Sequence, residues 1–216
     1  MDWTNFWATN KKIIDPAAPR YTAVDKQDTV TAKVTGEGAS NHTEEKPKHI
    51  KNADLGLKTV AFGTEILLDQ EDVKLMKVGE EITLMNWGNA IVTSIGTDSP
   101  ITTMELKLHL EGDVKKTEKK VTWLATSQEL IPVDMVDFDY LITKDKLEED
   151  DNWEDFLTPQ TEFRVPGLAD VNVKQLKRDD IIQFERKGYY RCDRAWTEEA
   201  PAVFFCIPTG KDNKGK

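Results

Sequence analysis

Short runs of strand length, apolar alternating with polar and each ended by Gly, Pro, Asn or Asp, recur through most of this 216-residue chain. That spacing constrains the fold more than any single motif. A strand this short cannot bury itself, and many of them in succession close into barrels or sandwiches. Strands are predicted at Arg20–Val24, Thr29–Val34, Leu57–Phe62, Glu65–Leu68, Glu81–Asn86, Ala90–Ile95, Thr102–Leu110 and Lys120–Leu124. A second series covers Pro132–Phe138, Tyr140–Ile142, Thr161–Val165, Val171–Val173, Asp180–Arg186, Tyr189–Arg194 and Ala202–Ile207. The chain is therefore expected to be mainly β. Two small antiparallel β-barrels fit the strand count better than one large barrel. Residues 16–124 would form the first and 125–209 the second, with strands free to exchange between them.

The remaining segments are punctuation. Asp2–Ile14 reads as a short N-terminal helix capped by Asp2, with Trp3, Phe6, Trp7, Asn10 and Ile14 on one side. Asp15-Pro16 stops it, because the residue before proline avoids helical backbone. Gly36–Lys51 reads as a long exposed loop, Asp69–Val73 as a turn or short helix, Lys144–Asp155 as a loop with a short helix, and residues 210–216 as a disordered tail.

Composition removes several function classes. No apolar run approaches the roughly 18 residues of a membrane span, and the N-terminus lacks the pattern of a signal peptide. Cys192 and Cys206 lack ligand spacing, which suits a reducing, cytoplasmic setting. There is no glycine-rich phosphate loop, no GxSxG and no HExxH, and His42, His49 and His109 are scattered. No catalytic residue, metal site or cofactor site is expected in this chain. The net charge of -10 is uneven: Asp137 to Asp155 holds nine acids and two lysines, leaving about -3 for everything else. An acidic segment of that kind does not prevent a basic face elsewhere from meeting phosphate.

Two groupings carry chemistry. Asp179–Asp193 reads as a β-hairpin whose Lys187-Gly188 marks the turn, with Gln183 and Glu185 on one face and Ile182, Phe184 and Arg186 on the other. An amide, a guanidinium and nearby rings are what unpaired nucleobases require, though an amphipathic hairpin with solvated charges has the same residues. Lys115, Lys116, Lys119 and Lys120 stand at the entrance to a strand. They suit phosphate contact and equally a lysine-rich tip kept soluble.

Trp7-Ala-Thr-Asn-Lys-Lys-Ile-Ile-Asp-Pro-Ala-Ala-Pro-Arg-Tyr-Thr-Ala-Val24 resembles the junction after the catalytic half of eukaryotic cytosolic glutamyl-tRNA synthetases. Leu84–Asn89, Lys115–Leu124 and Ile181–Tyr190 resemble the same family in the same order, so the resemblance covers nearly the whole chain. It implies the C-terminal anticodon-binding portion of a class I synthetase, a pair of β-barrels like ribosomal protein L25. Residues 1–15 would then be a connector from an absent catalytic half, where ATP with Mg would be bound. The partners implied are tRNA(Glu) and, in a synthetase assembly, scaffold proteins; neither membrane nor DNA is expected. The related glutaminyl enzymes, or a protein-interaction β module, are the alternatives. By the resemblance, Arg20, Gln183 and Arg186 would hold the middle anticodon base, a uridine, and Lys58 would survive from a third-base site. Lys115, Lys116, Lys119 and Lys120 would contact the RNA backbone. Simple alternation sets Gln183 and Arg186 on opposite faces, so both reach one base only if the strand bulges or Arg186 sits at the turn.

Overall fold

The computed structural model describes residues 3–210, so the expected Asp2 cap and the tail from Lys211 onward lie outside the described residues. Helix α1 spans Trp3–Ile14 and ends where Ala18 N donates back to Ile14 O at 2.9 Å. The chain then continues as β1 (Arg20–Tyr21), β2 (Ala23–Asp25), β3 (Val30–Thr35), β4 (His42–Pro47), β5 (Leu57–Phe62) and β6 (Glu65–Leu68). After the short helix α2 (Gln70–Lys74) come β7 (Glu81–Leu84), β8 (Gly88–Ile95), β9 (Thr103–Leu108), β10 (Lys120–Val121) and β11 (Leu124–Ala125). The last five strands are β12 (Ile131–Phe138), β13 (Glu162–Ala169), β14 (Ile181–Phe184), β15 (Gly188–Arg194) and β16 (Ala202–Ile207).

Fourteen of these strands form two curled seven-stranded half-barrels, ordered β10-β7-β8-β9-β3-β6-β11 and β1-β14-β15-β16-β12-β13-β2, while β4 and β5 form a two-stranded sheet packed on the core of the first. Most pairings are antiparallel, but β7·β10 and β3·β9 in the first, and β1·β14 and β12·β16 in the second, run parallel. In each, one bent segment supplies both edges. Arg20–Asp25 does so in the second half-barrel and Lys120–Ala125 in the first. The bend at Thr22 is held by Asp170, whose Oδ2 accepts from Thr22 N at 2.7 Å while its own N donates to Thr22 O at 3.0 Å.

Residues 20–25 therefore belong to the second half-barrel, not to the first as the chain order suggests. The first is continuous, from β3 to β11, and sits as an insertion between β2 and β12. Two other expectations change. Gly36–Lys51 is not all loop, since β4 pairs with β5 from His42↔Phe62 to Pro47↔Leu57. Its side chains are polar on both faces, so backbone pairing leaves no apolar alternation to read. Val171–Gln175 is a 3-10 helix rather than a strand, capped by the Asp170 side chain on Asn172 N. Tyr140–Ile142 contributes only an isolated bridge, Ile142↔Leu157.

The half-barrels repeat one plan about 100 residues apart, which no obvious identity in the sequence announces. Gly79 N and Asp179 N donate to Val92 O and Cys192 O, and both residues have positive φ (85° and 77°). Met85 N and Glu185 N donate to Val121 O and Tyr21 O. The hairpin turns match as well: Asn86 and Arg186 lie at φ 66° and 67°, each followed two residues later by a glycine near 150°. Gly88 and Gly188 are needed there because side chains rarely adopt that backbone. Each half-barrel has its own core. Ile66, Leu68, Ile82, Leu84 and Leu106 are buried in the first, and Ile131, Ile182, Phe184 and Phe204 in the second.

A chain beginning at Asp28 should keep the first half-barrel, with its Phe62–Trp87–Trp123 cluster, and lose the second. Hydrogen exchange should show Gln183 and Glu185 amides unprotected, because their acceptors, Pro19 O and Tyr21 O, are gone. Full protection would contradict the shared-segment topology.

Candidate nucleic-acid interface

Arg20 and Gln183, 163 positions apart in the chain, are register partners in the parallel β1·β14 pairing. Gln183 N donates to Pro19 O at 2.9 Å, and paired residues of neighbouring strands project on the same side. Tyr189 lies opposite Gln183 on β15 and Ile207 opposite Tyr189 on β16, which makes one row across the outer face. The inward residues of the same strands, Tyr21, Ile182 and Phe184, are buried in the core. The end of α1 roofs part of the row, with Ile14 and Ala18 packed against Tyr189 and Ile207.

Asp15 orders this corner. It accepts a hydrogen bond from the Tyr189 hydroxyl, and Arg20 Nη2 lies 3.5 Å from the same carboxylate oxygen. The Tyr189 bond, more than the Arg20 charge, holds the Asp15 carboxyl below its ordinary range. Burial first, and the Asp15 bond second, push the Tyr189 hydroxyl up to about 12. Arg20 Nε is buried with no partner among the described residues. The corner therefore offers an amide and a guanidinium edge, framed by a phenol whose hydrogen is already given to Asp15. His49 belongs to its frame: Nδ1 accepts from Lys51 N at 3.0 Å and Nε2 donates to Asp15 O at 3.1 Å.

Lys58 is not presented to solvent. It is 5% exposed, donates to Arg20 O at 2.6 Å, and pairs with Glu185 at 3.6 Å. Glu185 is also buried and accepts from Thr22 Oγ1 and Asn86 Nδ2, each at 3.3 Å. Asp170, buried beside them, is pushed up by desolvation and drawn partly back by Lys58, Thr22 and Asn172. Lys58 thus links β5 to the second half-barrel and supports Arg20 from behind, with its ammonium turned inward rather than toward the outer row.

Arg186 does sit at the turn, and its left-handed backbone breaks the strand's alternation. The structure does not bring its guanidinium to Gln183. It forms a two-pronged pair with Asp72 of α2, one prong 2.6 Å long, and its side chain keeps 38% exposure. Next to it Lys187 bridges Asp25 at 2.6 Å and Asp69 at 3.1 Å. Burial alone would lower the Lys187 ammonium, but the two carboxylates together raise it. All three residues of the turn, Glu185, Arg186 and Lys187, are thus tied to the first half-barrel. Among the lysines, Lys119 pairs with Glu80 and Lys120 donates to Thr117 O at 2.7 Å, while Lys115 and Lys116 are exposed.

Asp15, Tyr189, Asp72 and Glu185 were missed in the sequence. Only the matching Met85-Asn-Trp-Gly88 and Glu185-Arg-Lys-Gly188 turns offered a signal, since both place a residue that tolerates or is forced into positive φ before X-Gly. Because Glu185 would be left as an unpaired buried charge, Lys58→Ala should cost about 3–5 kcal/mol in denaturant unfolding. Adding Glu185→Gln should recover part of that loss; a single-variant effect under about 1 kcal/mol would show the pair is not buried as described.

The family description "tRNA synthetases class I (E and Q), anti-codon binding domain" matches residues 18–111, and a second description with the same wording matches residues 120–193. A probable cytoplasmic glutamate–tRNA ligase of Schizosaccharomyces pombe is 57% identical over 213 residues, 98% of this chain and 30% of the relative. The cytoplasmic glutamate–tRNA ligase of Saccharomyces cerevisiae is 51% identical over 211 residues, 98% of this chain and 29% of that protein. The bifunctional glutamate/proline–tRNA ligase of Mus musculus is 36% identical over 221 residues, 97% of this chain and 14% of its own length. The chain thus spans less than a third of the curated relatives it matches. No helix among the described residues is long and apolar enough to cross a membrane.

Proposed function

From the premise that the chain belongs to the class I glutamyl/glutaminyl tRNA synthetase family, through its anticodon-binding domains, we propose that it is the anticodon-reading portion of a cytoplasmic glutamate–tRNA ligase. It holds tRNA(Glu) while the remainder of the parent protein, with ATP and Mg, activates glutamate and joins it to the tRNA. The observation that carries the reading is the parallel register of Arg20 with Gln183. It sets an amide and a guanidinium edge side by side at a corner braced by Asp15 and Tyr189.

A uracil edge has two carbonyl acceptors around one imino N–H. The Gln183 amide oxygen accepts from the imino group, and the Arg20 N–H groups donate to a carbonyl. A cytosine there would set its amino donor against the arginine and leave buried groups unpaired. Arg186 joins this pocket only by leaving Asp72, so its contribution is smaller than that of Gln183. Lys115 and Lys116, both exposed on one loop, meet phosphate.

In the full ligase, Gln183→Ala should lower kcat/KM for tRNA(Glu) by about 1–3 kcal/mol and relax discrimination at the middle anticodon base. An unchanged kcat/KM would sink the pocket. The double variant Lys115→Ala, Lys116→Ala should instead weaken all RNA alike and shallow the log K versus log salt slope by roughly 2. A slope equal to wild type would remove both lysines from the interface.

A further inference from the structure

The repeat places two threonines in equivalent bends. Thr22 follows Tyr21, whose carbonyl accepts from Glu185 N, and Thr122 follows Val121, whose carbonyl accepts from Met85 N. The registers agree, with Tyr21 opposite Phe184 in one half-barrel and Val121 opposite Leu84 in the other. What surrounds the two hydroxyls differs. Thr22 Oγ1 donates to the Glu185 carboxylate at 3.3 Å. At the position matching Glu185 the first half-barrel has Met85, whose thioether is only a weak acceptor. Thr122 is 1% exposed, and its hydroxyl is buried with no partner among the described residues.

A buried hydroxyl left unpaired is costly, so folded proteins pair nearly all of them with their own groups or with ordered water. Thr122 lines a cavity of about 20 Å3 together with Thr22, Lys58, Met85, Asn86 and Asp170. That volume has room for one water, which such a place retains when several polar groups surround it. Apolar cavities of this size stay dry, but a carboxylate and an ammonium line this one. Asp170 has an acceptor position to offer. A carboxylate accepts at about four positions, and three are taken: Oδ2 by Thr22 N at 2.7 Å, and Oδ1 by Asn172 N at 3.0 Å and Asn172 Nδ2 at 2.7 Å. Lys58 has a donor to offer, since Arg20 O and Glu185 account for two of its three N–H groups.

We infer that this cavity is a binding site for one internal water, which accepts the Thr122 hydroxyl hydrogen and donates to Asp170. The water does for Thr122 what Glu185 does for Thr22. Because Asp170 also holds the bend at Thr22, the bent segments of both half-barrels are then tied to one buried carboxylate. A fourth donor also eases the desolvation that pushes the Asp170 carboxyl up.

The test uses the 216-residue chain and magnetic relaxation dispersion of the water oxygen, which counts long-lived internal waters. Wild type should hold one more than Thr122→Val, a variant of the same shape without the hydroxyl. Met85→Gln, which sets an acceptor where the second half-barrel has Glu185, should also lack that water. In denaturant, Thr122→Val should shift the folding equilibrium about ten-fold toward the unfolded chain, because the water loses a partner. An unchanged water count in Thr122→Val overturns the site. So does a Thr122→Val chain as stable as wild type or more stable, the outcome for a hydroxyl with no bond to lose. Stability that differs between potassium and tetramethylammonium salts at one ionic strength assigns the cavity to a monovalent cation and overturns the water. If Thr122→Val does not fold, the count in Met85→Gln decides, and a value equal to wild type overturns the site.

Discussion

Everything at the candidate interface depends on one buried ionic junction. Lys58 from β5 and Glu185 from the second half-barrel are both nearly inaccessible, yet they meet at 3.6 Å. Removing two charges from water costs several kcal/mol each, and a separation that long recovers little of it directly. The balance is restored by shared partners: Arg20 O for the ammonium, and Thr22 and Asn86 for the carboxylate. Those partners come from both half-barrels and from the bent segment that closes the second. The pair therefore fixes orientation more than it adds stability, and it holds the strand from which Arg20 projects.

The same turn shows how structural and recognition roles compete for one side chain. Arg186 is delivered to solvent by a left-handed backbone and then captured by Asp72. Two hydrogen bonds to a carboxylate place the guanidinium with a precision that a free arginine lacks, because the planar fork loses little freedom per bond formed. Lys187, bound by Asp25 and Asp69, anchors the neighbouring peptide. Asp69 is pushed up by its burial and pulled back by Lys187, so each member of this group needs the others to stay charged.

Much of the fold was legible because strand periodicity survives wherever one face is buried. Val30, Ala32 and Val34, or Ile182 and Phe184, announce their strands by alternation alone. Strand β4 was invisible for the opposite reason, since His42–Pro47 has no buried face and is held by backbone bonds to β5. The membership of Arg20–Asp25 in the second half-barrel was also hidden, because no local pattern encodes a partner more than 140 residues away. At the site, Gln183 and Arg20 could be named by resemblance. That Lys58 is buried could not, since a lysine beside Thr59 on a β-run reads as surface until Glu185 and Asp170 are placed beneath it.

The insertion of one half-barrel inside the other bears on how the chain assembles. During synthesis β1 and β2 emerge first, but their partners β13 and β14 come only after the entire first half-barrel. Bringing two distant segments together from a flexible chain carries an entropic penalty that grows with the loop between them. Here the intervening chain is itself a folded body whose ends, at β3 and β11, flank the same strand β6. Once that body has formed, Asp25 and Ile131 are delivered near one another, and the long loop behaves as a short one. The first half-barrel is in this sense a template on which the second is closed, and the order of folding is written into the order of strands.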